Sequence, residues 1–134
     1  SDLNLKLFFE PGRSLVGSSG ILISRVIREK KGEKNNFLII DCAMNDLIRP
    51  SMYDSYHEVF PVKKNMGQKI SYDIVGPICE SSDTFAKKRK ISQLKRDDLL
   101  VLCSVGAYGS CMSSNYNCRI PAKEILVCGS EILE

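Results

Sequence analysis

The sequence predicts a mainly β domain, an antiparallel barrel or sandwich with short helical segments. Three observations carry this reading. Seven or eight short runs place apolar residues at alternate positions, polar turns rich in Gly, Pro, Asn and Asp separate them, and no long helical-period stretches lie between strands as a parallel α/β sheet would need. At 134 residues the chain is one domain by length, able to bury about two-thirds of the surface its unfolded form exposes.

The elements follow in order. Leu3, Leu5, Leu7 and Phe9 alternate with Asn4, Lys6 and Phe8, a strand ending at Glu10-Pro11-Gly12-Arg13. Small residues from Ser14 to Gly20 predict a short helix or loop with close backbone packing. Ile21, Ile23, Arg25 and Ile27 mark a second strand and Phe37 to Asp41 a third; the polar stretch between them, with Gly32 and Asn35-Asn36, fits a hairpin. Pro50 suits the start of a short helix through Tyr56, with Arg49 and Tyr53 about one turn apart on the same side. Tyr56 to Val62 reads as a strand whose His57 is an edge or packed residue, there being no second His to share a metal. A turn at Asn65-Met66-Gly67 leads to the strand Lys69 to Val75, which Gly76-Pro77 stops. Lys87 to Gln93 reads as a charged connection before the strand Leu99 to Val105. Gly106 and Gly109 hold Tyr108 on a tight backbone, Cys111 to Asn115 reads as a helical turn, and Lys123 to Cys128 closes a last hairpin with Glu131 to Glu134.

Composition excludes several classes. The formal charge of +3, from 19 basic and 16 acidic residues, is mild, and the basic groups lack the interleaved aromatics that stack bases, so no nucleic-acid role is expected. The longest apolar run, Leu99 to Cys103, falls far short of the ~18 residues a membrane span needs. Six cysteines without a CxxC step, and no N-terminal charged-then-apolar segment, predict free thiols in a cytoplasmic protein without a metal. The chain opens on Ser1 directly into a strand pattern, which suggests a piece of a longer polypeptide.

Four Gly- or Pro-marked strand ends carry polar groups: Glu10 to Arg13, Asn45 to Tyr53, Gly76 to Asp83 and Gly106 to Tyr116. Together they offer guanidinium groups, carboxylates, phenols and the Cys79 thiol, a kit suited to a doubly zwitterionic ligand. Taken singly, Arg13 and Arg49 equally fit the capping of nearby carbonyls, Tyr53 simple packing, and Cys79 a small buried hydrophobe.

Glu-Pro-Gly-Arg at 10 to 13, Met-Asn-Asp-Leu-Ile-Arg-Pro at 44 to 50, Val-Gly-Pro-Ile-Cys-Glu-Ser at 75 to 81, Gly-Ala-Tyr-Gly at 106 to 109 and Met-Ser-Ser-Asn-Tyr-Asn at 112 to 117 resemble, in that order, the motifs of diaminopimelate decarboxylases. The resemblance implies a pyridoxal-phosphate enzyme of lysine biosynthesis, built from a TIM barrel and a C-terminal β domain of the alanine racemase type. This chain would be the last barrel strand, residues 1–13, followed by that β domain, residues 14–134. It further implies that Glu10 pairs with the cofactor's pyridine nitrogen, that Pro11, Gly12 and Arg13 lie along the phosphate and substrate, and that Arg49 and Tyr53 bind a substrate carboxylate. Glu80 would receive the distal ammonium, Tyr108 would touch both substrate and cofactor, and Cys79 would donate the proton that replaces carbon dioxide. A thiol is ordinarily protonated at neutral pH, which suits an acid better than a nucleophile.

An Arg with a Glu complements the distal end of diaminopimelate, where a diamine precursor such as ornithine lacks the second carboxylate. Ornithine and arginine decarboxylases show Cys-Asp-Gly where this chain has Cys79-Glu80-Ser81. The family's cofactor-tethering Lys and glycine-rich phosphate loop belong to the barrel and have no match here, so the chain alone is expected to be inactive. The resemblance also implies a homodimer, in which the Cys-Glu pair reaches the partner's site. Two alternatives stay open: a decarboxylase of another basic amino acid, and a non-catalytic regulatory relative.

Overall fold

The computed structural model describes residues 5–63 and 67–133. A short helix α1 (Gly12–Val16) and a 3-10 turn (Gly17–Ser19) precede β1 (Ile21–Lys30) and β2 (Asn36–Ile40). Helix α2 (Arg49–Tyr53) leads to β3 (Val59–Pro61), β4 (Lys69–Val75), β5 (Thr84–Ser92) and β6 (Leu99–Cys103). Two further 3-10 turns (Ser110–Met112 and Tyr116–Cys118) then precede β7 (Leu126–Cys128) and β8 (Glu131–Leu133). Six strands form one sheet in the order β3-β6-β1-β2-β4-β5, and β7 and β8 form a separate hairpin.

The sheet curls until its two edges meet without pairing. Arg89 of β5 bridges the gap: it donates to the Tyr56 hydroxyl at 2.5 Å and to the His57 carbonyl at 3.2 Å, just before β3. Its guanidinium also lies 4.3 Å from the Tyr56 ring centroid. The mainly β, barrel-like architecture is therefore the one expected. One neighbouring pair, β2 with β4, is parallel rather than antiparallel, because the chain leaves β2 through α2 and β3, at the other end of the strand order, before it returns beside β2 as β4.

Inside lie Val26, Leu38, Ile40, Leu47, Tyr72, Ile74, Leu100 and Leu102, all buried. Tyr72 brings a hydroxyl into this core and donates it to Glu29 at 2.6 Å, so the polar tip is satisfied. His57 is buried as well, its Nδ1 2.8 Å from the Cys103 carbonyl. A carbonyl can only accept, so Nδ1 carries the proton. It is a packed residue, as expected.

Several local expectations need correction. Residues 5–10 form no strand, and Leu5, Leu7, Phe8 and Phe9 are exposed, since no neighbouring strand pairs with them among the described residues. The strand's first positions, Leu3 and Asn4, lie outside the described residues, as do Asn65 and Met66 of the expected turn and Glu134 of the last hairpin. Residues 87–92 are no connection: they belong to β5, which pairs antiparallel with β4, and only Gln93 follows the strand. As the outermost strand, β5 can turn Lys87, Lys88 and Lys90 to solvent while burying Phe85, Ala86 and Ile91. Helix α2 stops at Tyr53 because Asp54 adopts a left-handed conformation, φ 51°.

Candidate active site

Three polar anchors gather the loops at one end of the barrel. The first is the turn that leaves β2. Ser24 donates to Asp41 Oδ1 at 2.7 Å, and Asn45 and Asp46, both buried, receive groups from a segment about seventy residues later. Arg119 donates through Nε to Asn45 Oδ1 at 2.9 Å and through Nη2 to the Asp41 carbonyl at 2.5 Å, with Asp46 Oδ2 at 3.8 Å. Ser114 and Asn45 exchange two further bonds: Ser114 N–H to the Asn45 carbonyl at 2.9 Å, and Asn45 Nδ2 to the Ser114 carbonyl at 3.2 Å.

Asp83 is the second anchor, only 2 % exposed. Its carboxylate accepts the Met44 N–H at 2.7 Å and the Ile78 N–H at 2.8 Å, so it braces both the first turn and its own loop. Burial pushes its pKa above the usual carboxylate value, against the pull of those two N–H bonds. Gly76 has to be glycine here, because a Cβ would lie 2.2 Å from an Asp83 oxygen. Ser51 of α2 donates to the Ser82 carbonyl at 2.5 Å, tying the helix to the same loop.

The third anchor is a backbone crossing. Gly106 N–H bonds the Gly17 carbonyl and Val105 N–H the Gly20 carbonyl, both at 3.0 Å. A Cβ on Gly106 would lie 2.1 Å from the Val16 carbonyl, so this approach requires glycine. It joins the turn after Glu10 to the loop that carries Tyr108.

On this frame the candidate side chains form two clusters. In one, the Arg49 guanidinium carbon lies 5.2 Å from the ring centroids of both Tyr53 and Tyr108. The one-turn spacing of Arg49 and Tyr53 on α2 brings that pair together, and Tyr108 joins them from a left-handed backbone position, φ 59°. Both rings are about half exposed and so remain open to a ligand. In the other cluster, Tyr116 donates its hydroxyl to Glu80 Oε1 at 2.5 Å. This bond, and then the carboxylate's charge, hold the Tyr116 proton more firmly than an ordinary phenol's. Cys79, next to Glu80, is a free and exposed thiol.

Glu10, Pro11, Gly12 and Arg13 lie on an exposed turn. The Glu10 and Arg13 side chains have no hydrogen bond or ion pair among the described residues, and the structure brings neither into contact with the two clusters. They can hold pyridoxal phosphate only as one wall of a site, with a carboxylate and a guanidinium turned outward and the Tyr108 phenol on the adjoining loop. That donor set fits the cofactor's ring nitrogen and phosphate. A buried thiol at Cys42 contrasts with Cys79: burial, then Asp46 and Asp41, push it well above its ordinary value and leave it unreactive.

Sequence reasoning named the candidate side chains of the two clusters and missed their mounts. Asp83, Asn45, Asp46 and Arg119 carry the frame, and Tyr116 sat inside a quoted motif without a role. A short acid or amide just past a strand end was the available signal. Among the described residues, no group of three or more His, Cys, Asp or Glu is arranged to hold a metal ion, and no helix is long and apolar enough to cross a membrane.

Comparison with known proteins places the sheet that carries these loops in a family. Residues 15–106 match the C-terminal sheet domain of pyridoxal-dependent decarboxylases. The diaminopimelate decarboxylase of Zymomonas mobilis is 49 % identical over 128 residues, covering 96 % of this chain and 30 % of that protein. Among solved structures, the diaminopimelate decarboxylase of M. jannaschii in complex with L-lysine superposes with a TM-score of 0.88 at 37 % identity, over 92 % of this chain and 28 % of that one. The Helicobacter pylori enzyme, also complexed with L-lysine, gives 0.83 at 40 % identity, over 90 % and 29 %. The chain thus spans about 30 % of the length of the curated relatives it matches. A match covering more than half the chain, over the same sheet that frames the two clusters, shows that it belongs to the family of C-terminal sheet domains of pyridoxal-dependent decarboxylases.

Proposed function

We propose that this chain is the C-terminal part of a diaminopimelate decarboxylase, converting meso-diaminopimelate to L-lysine and carbon dioxide in the cytoplasm once joined to a TIM barrel and paired with a second protomer. The observation that carries the reading is the Arg49 guanidinium shared by two half-exposed phenols, on a helix hydrogen-bonded through Ser51 to the loop bearing Cys79 and Glu80. Arg49 supplies a planar fork for a substrate carboxylate, and its contacts with Tyr53 and Tyr108 limit its rotation before the ligand arrives. Glu80 offers the complementary charge to a distal ammonium. The L-lysine in the two relatives' structures is a molecule with such an ammonium.

Pyridoxal phosphate, when bound, supplies the electron sink that makes loss of carbon dioxide possible. Glu10 would hold a proton on its ring nitrogen and Arg13 would face its phosphate side. Cys79 would give the proton to the carbon that has lost its carboxylate. In a head-to-tail homodimer each chain would lend Cys79 and Glu80 to its partner's site, while exposed Leu5, Phe8, Phe9, Leu15, Ile21 and Ile23 would be covered by the barrel and the second subunit.

The test is Cys79→Ala in the full-length enzyme. Turnover should fall by about a hundredfold or more, the usual contribution of a positioned acid, while cofactor absorbance is retained. Unchanged turnover would remove the proton-donor role.

A further inference from the structure

The Tyr116 hydroxyl is the only described side-chain partner of Glu80, and its mounting is stiff. Two residues earlier, Ser114 exchanges two bonds with Asn45 and accepts the Tyr116 N–H on its hydroxyl at 3.3 Å. Three residues later, Arg119 returns its N–H to the Tyr116 carbonyl at 3.3 Å while its guanidinium grips Asn45 and Asp41. Between them Asn117 and Cys118 take left-handed backbone angles, φ 58° and 57°, which turn the chain sharply after the Tyr. The phenol is thus fixed from both sides, whereas Glu80 sits on an exposed turn and would otherwise choose among rotamers.

We infer that Tyr116 is a positioning residue: its hydroxyl occupies Glu80 Oε1 and so fixes Oε2 to receive the distal ammonium of the substrate. This rests on the proposed role of Glu80. The chemistry follows from what each oxygen can do. A carboxylate accepts through both oxygens; a phenol that keeps its proton takes one of them without neutralising the charge, and the second remains a full acceptor for an ammonium. The Tyr116 proton is held above the ordinary phenol range by this very bond, so the donor persists throughout neutral pH. Lacking the hydroxyl, Glu80 keeps its charge and loses its aim. Binding of the distal end should suffer, while the reacting carbon, served by Cys79, should not.

The experiment uses the full-length holoenzyme with Tyr116→Phe, Glu80→Ala and the double variant, assayed with meso-diaminopimelate and with 2-aminopimelate, which lacks the distal amine, as a competitive inhibitor. Tyr116→Phe should raise KM about tenfold with kcat nearly unchanged, the pattern of lost binding shared by ground and transition states. It should leave inhibition by 2-aminopimelate unaltered, and it should add nothing once Glu80 is Ala. If Glu80→Ala raises KM while Tyr116→Phe has no effect, or adds its full effect in the double variant, the inference fails and the role of Glu80 stands. If Glu80→Ala leaves KM unchanged, the role of Glu80 falls and the inference with it. Tyr116→Phe keeps the ring, so altered cofactor absorbance or dimer size in that variant would assign Tyr116 to the fold and also overturn the inference.

Discussion

Replacing Asp83 tests whether one buried carboxylate holds the loop that presents Cys79 and Glu80. In Asp83→Ala, the Met44 and Ile78 N–H groups, now 2.7 and 2.8 Å from the carboxylate, lose their acceptor. Each buried N–H left unmet costs about 1–3 kcal/mol, giving about 2–6 kcal/mol in all. Part is returned, because burial has pushed the Asp83 pKa up and the ionised group sits there at some cost. The net loss should therefore lie in the lower part of that range, about 2–4 kcal/mol at neutral pH.

Asp83→Asn adds a check on sign. It keeps one acceptor oxygen but turns an NH₂ toward the other N–H. Because the folded value of Asp83 is raised above the unfolded one near 3.9, the folded chain takes up this proton first as pH falls. Wild-type stability relative to Asp83→Asn should accordingly rise as pH falls from the raised value toward that unfolded one, and be lost as pH climbs back through the window. Equilibrium urea unfolding of the chain, followed by circular dichroism between pH 4 and 8, measures both effects, and kcat/KM of the full-length variant should drop with the loop's geometry. A loss below about 0.5 kcal/mol in Asp83→Ala, within the ordinary range of surface substitutions, would refute the bracing role.

Two further substitutions address the other anchors and the core. Gly106→Ala forces a Cβ against the Val16 carbonyl and the Gly20 N, 2.1 and 2.8 Å away; backbone must move, and urea unfolding should show a loss of about 1–3 kcal/mol. Tyr72 is fully buried and its hydroxyl is bonded to Glu29, so burial and then this bond raise its ionisation above the usual phenol value. Its folded value lies above the unfolded one near 10, hence the stability it contributes is present below that pH and lost above it. Alkaline difference absorbance should show one tyrosinate withheld until unfolding, and Tyr72→Phe should abolish that signal.

Legibility from sequence followed the range of the interaction. β4 runs from Lys69 to Val75, the span its alternation predicts, and α2 begins beside Pro50 with Arg49 and Tyr53 meeting one turn apart. Both are local facts. β5 was hidden because an edge strand tolerates Lys on its outer face, and because Lys88, with φ 51°, breaks the alternation that would have exposed Phe85 and Ile91 as one inward row. Arg119 could not be seen as a mount at all: its partners lie 74 and 78 residues away. The candidate side chains could therefore be named from clustered motifs, and the long-range contacts that mount their loops could not.

The outer face of β1 carries the argument furthest. Alternation marked Ile21, Ile23 and Ile27 as an apolar row, yet the barrel interior takes Ser24 and Val26, with Leu22 beside them, and leaves the isoleucines exposed. Ser24 points inward because its hydroxyl donates to Asp41 and accepts the Cys42 N–H, which fixes the register and sends the isoleucines out. A strand apolar on both faces is normal where both are covered. The exposed row continues through Val16 and Leu15 on α1 to Phe9, Phe8, Leu7 and Leu5, on the same segment that carries Glu10 and Arg13. The unpaired strand pattern, the Glu10 and Arg13 side chains, which lack a partner among the described residues, and the outward isoleucines thus lie along one continuous stretch, residues 5–27. A barrel docked there would pair the first, load the second and bury the third in a single contact.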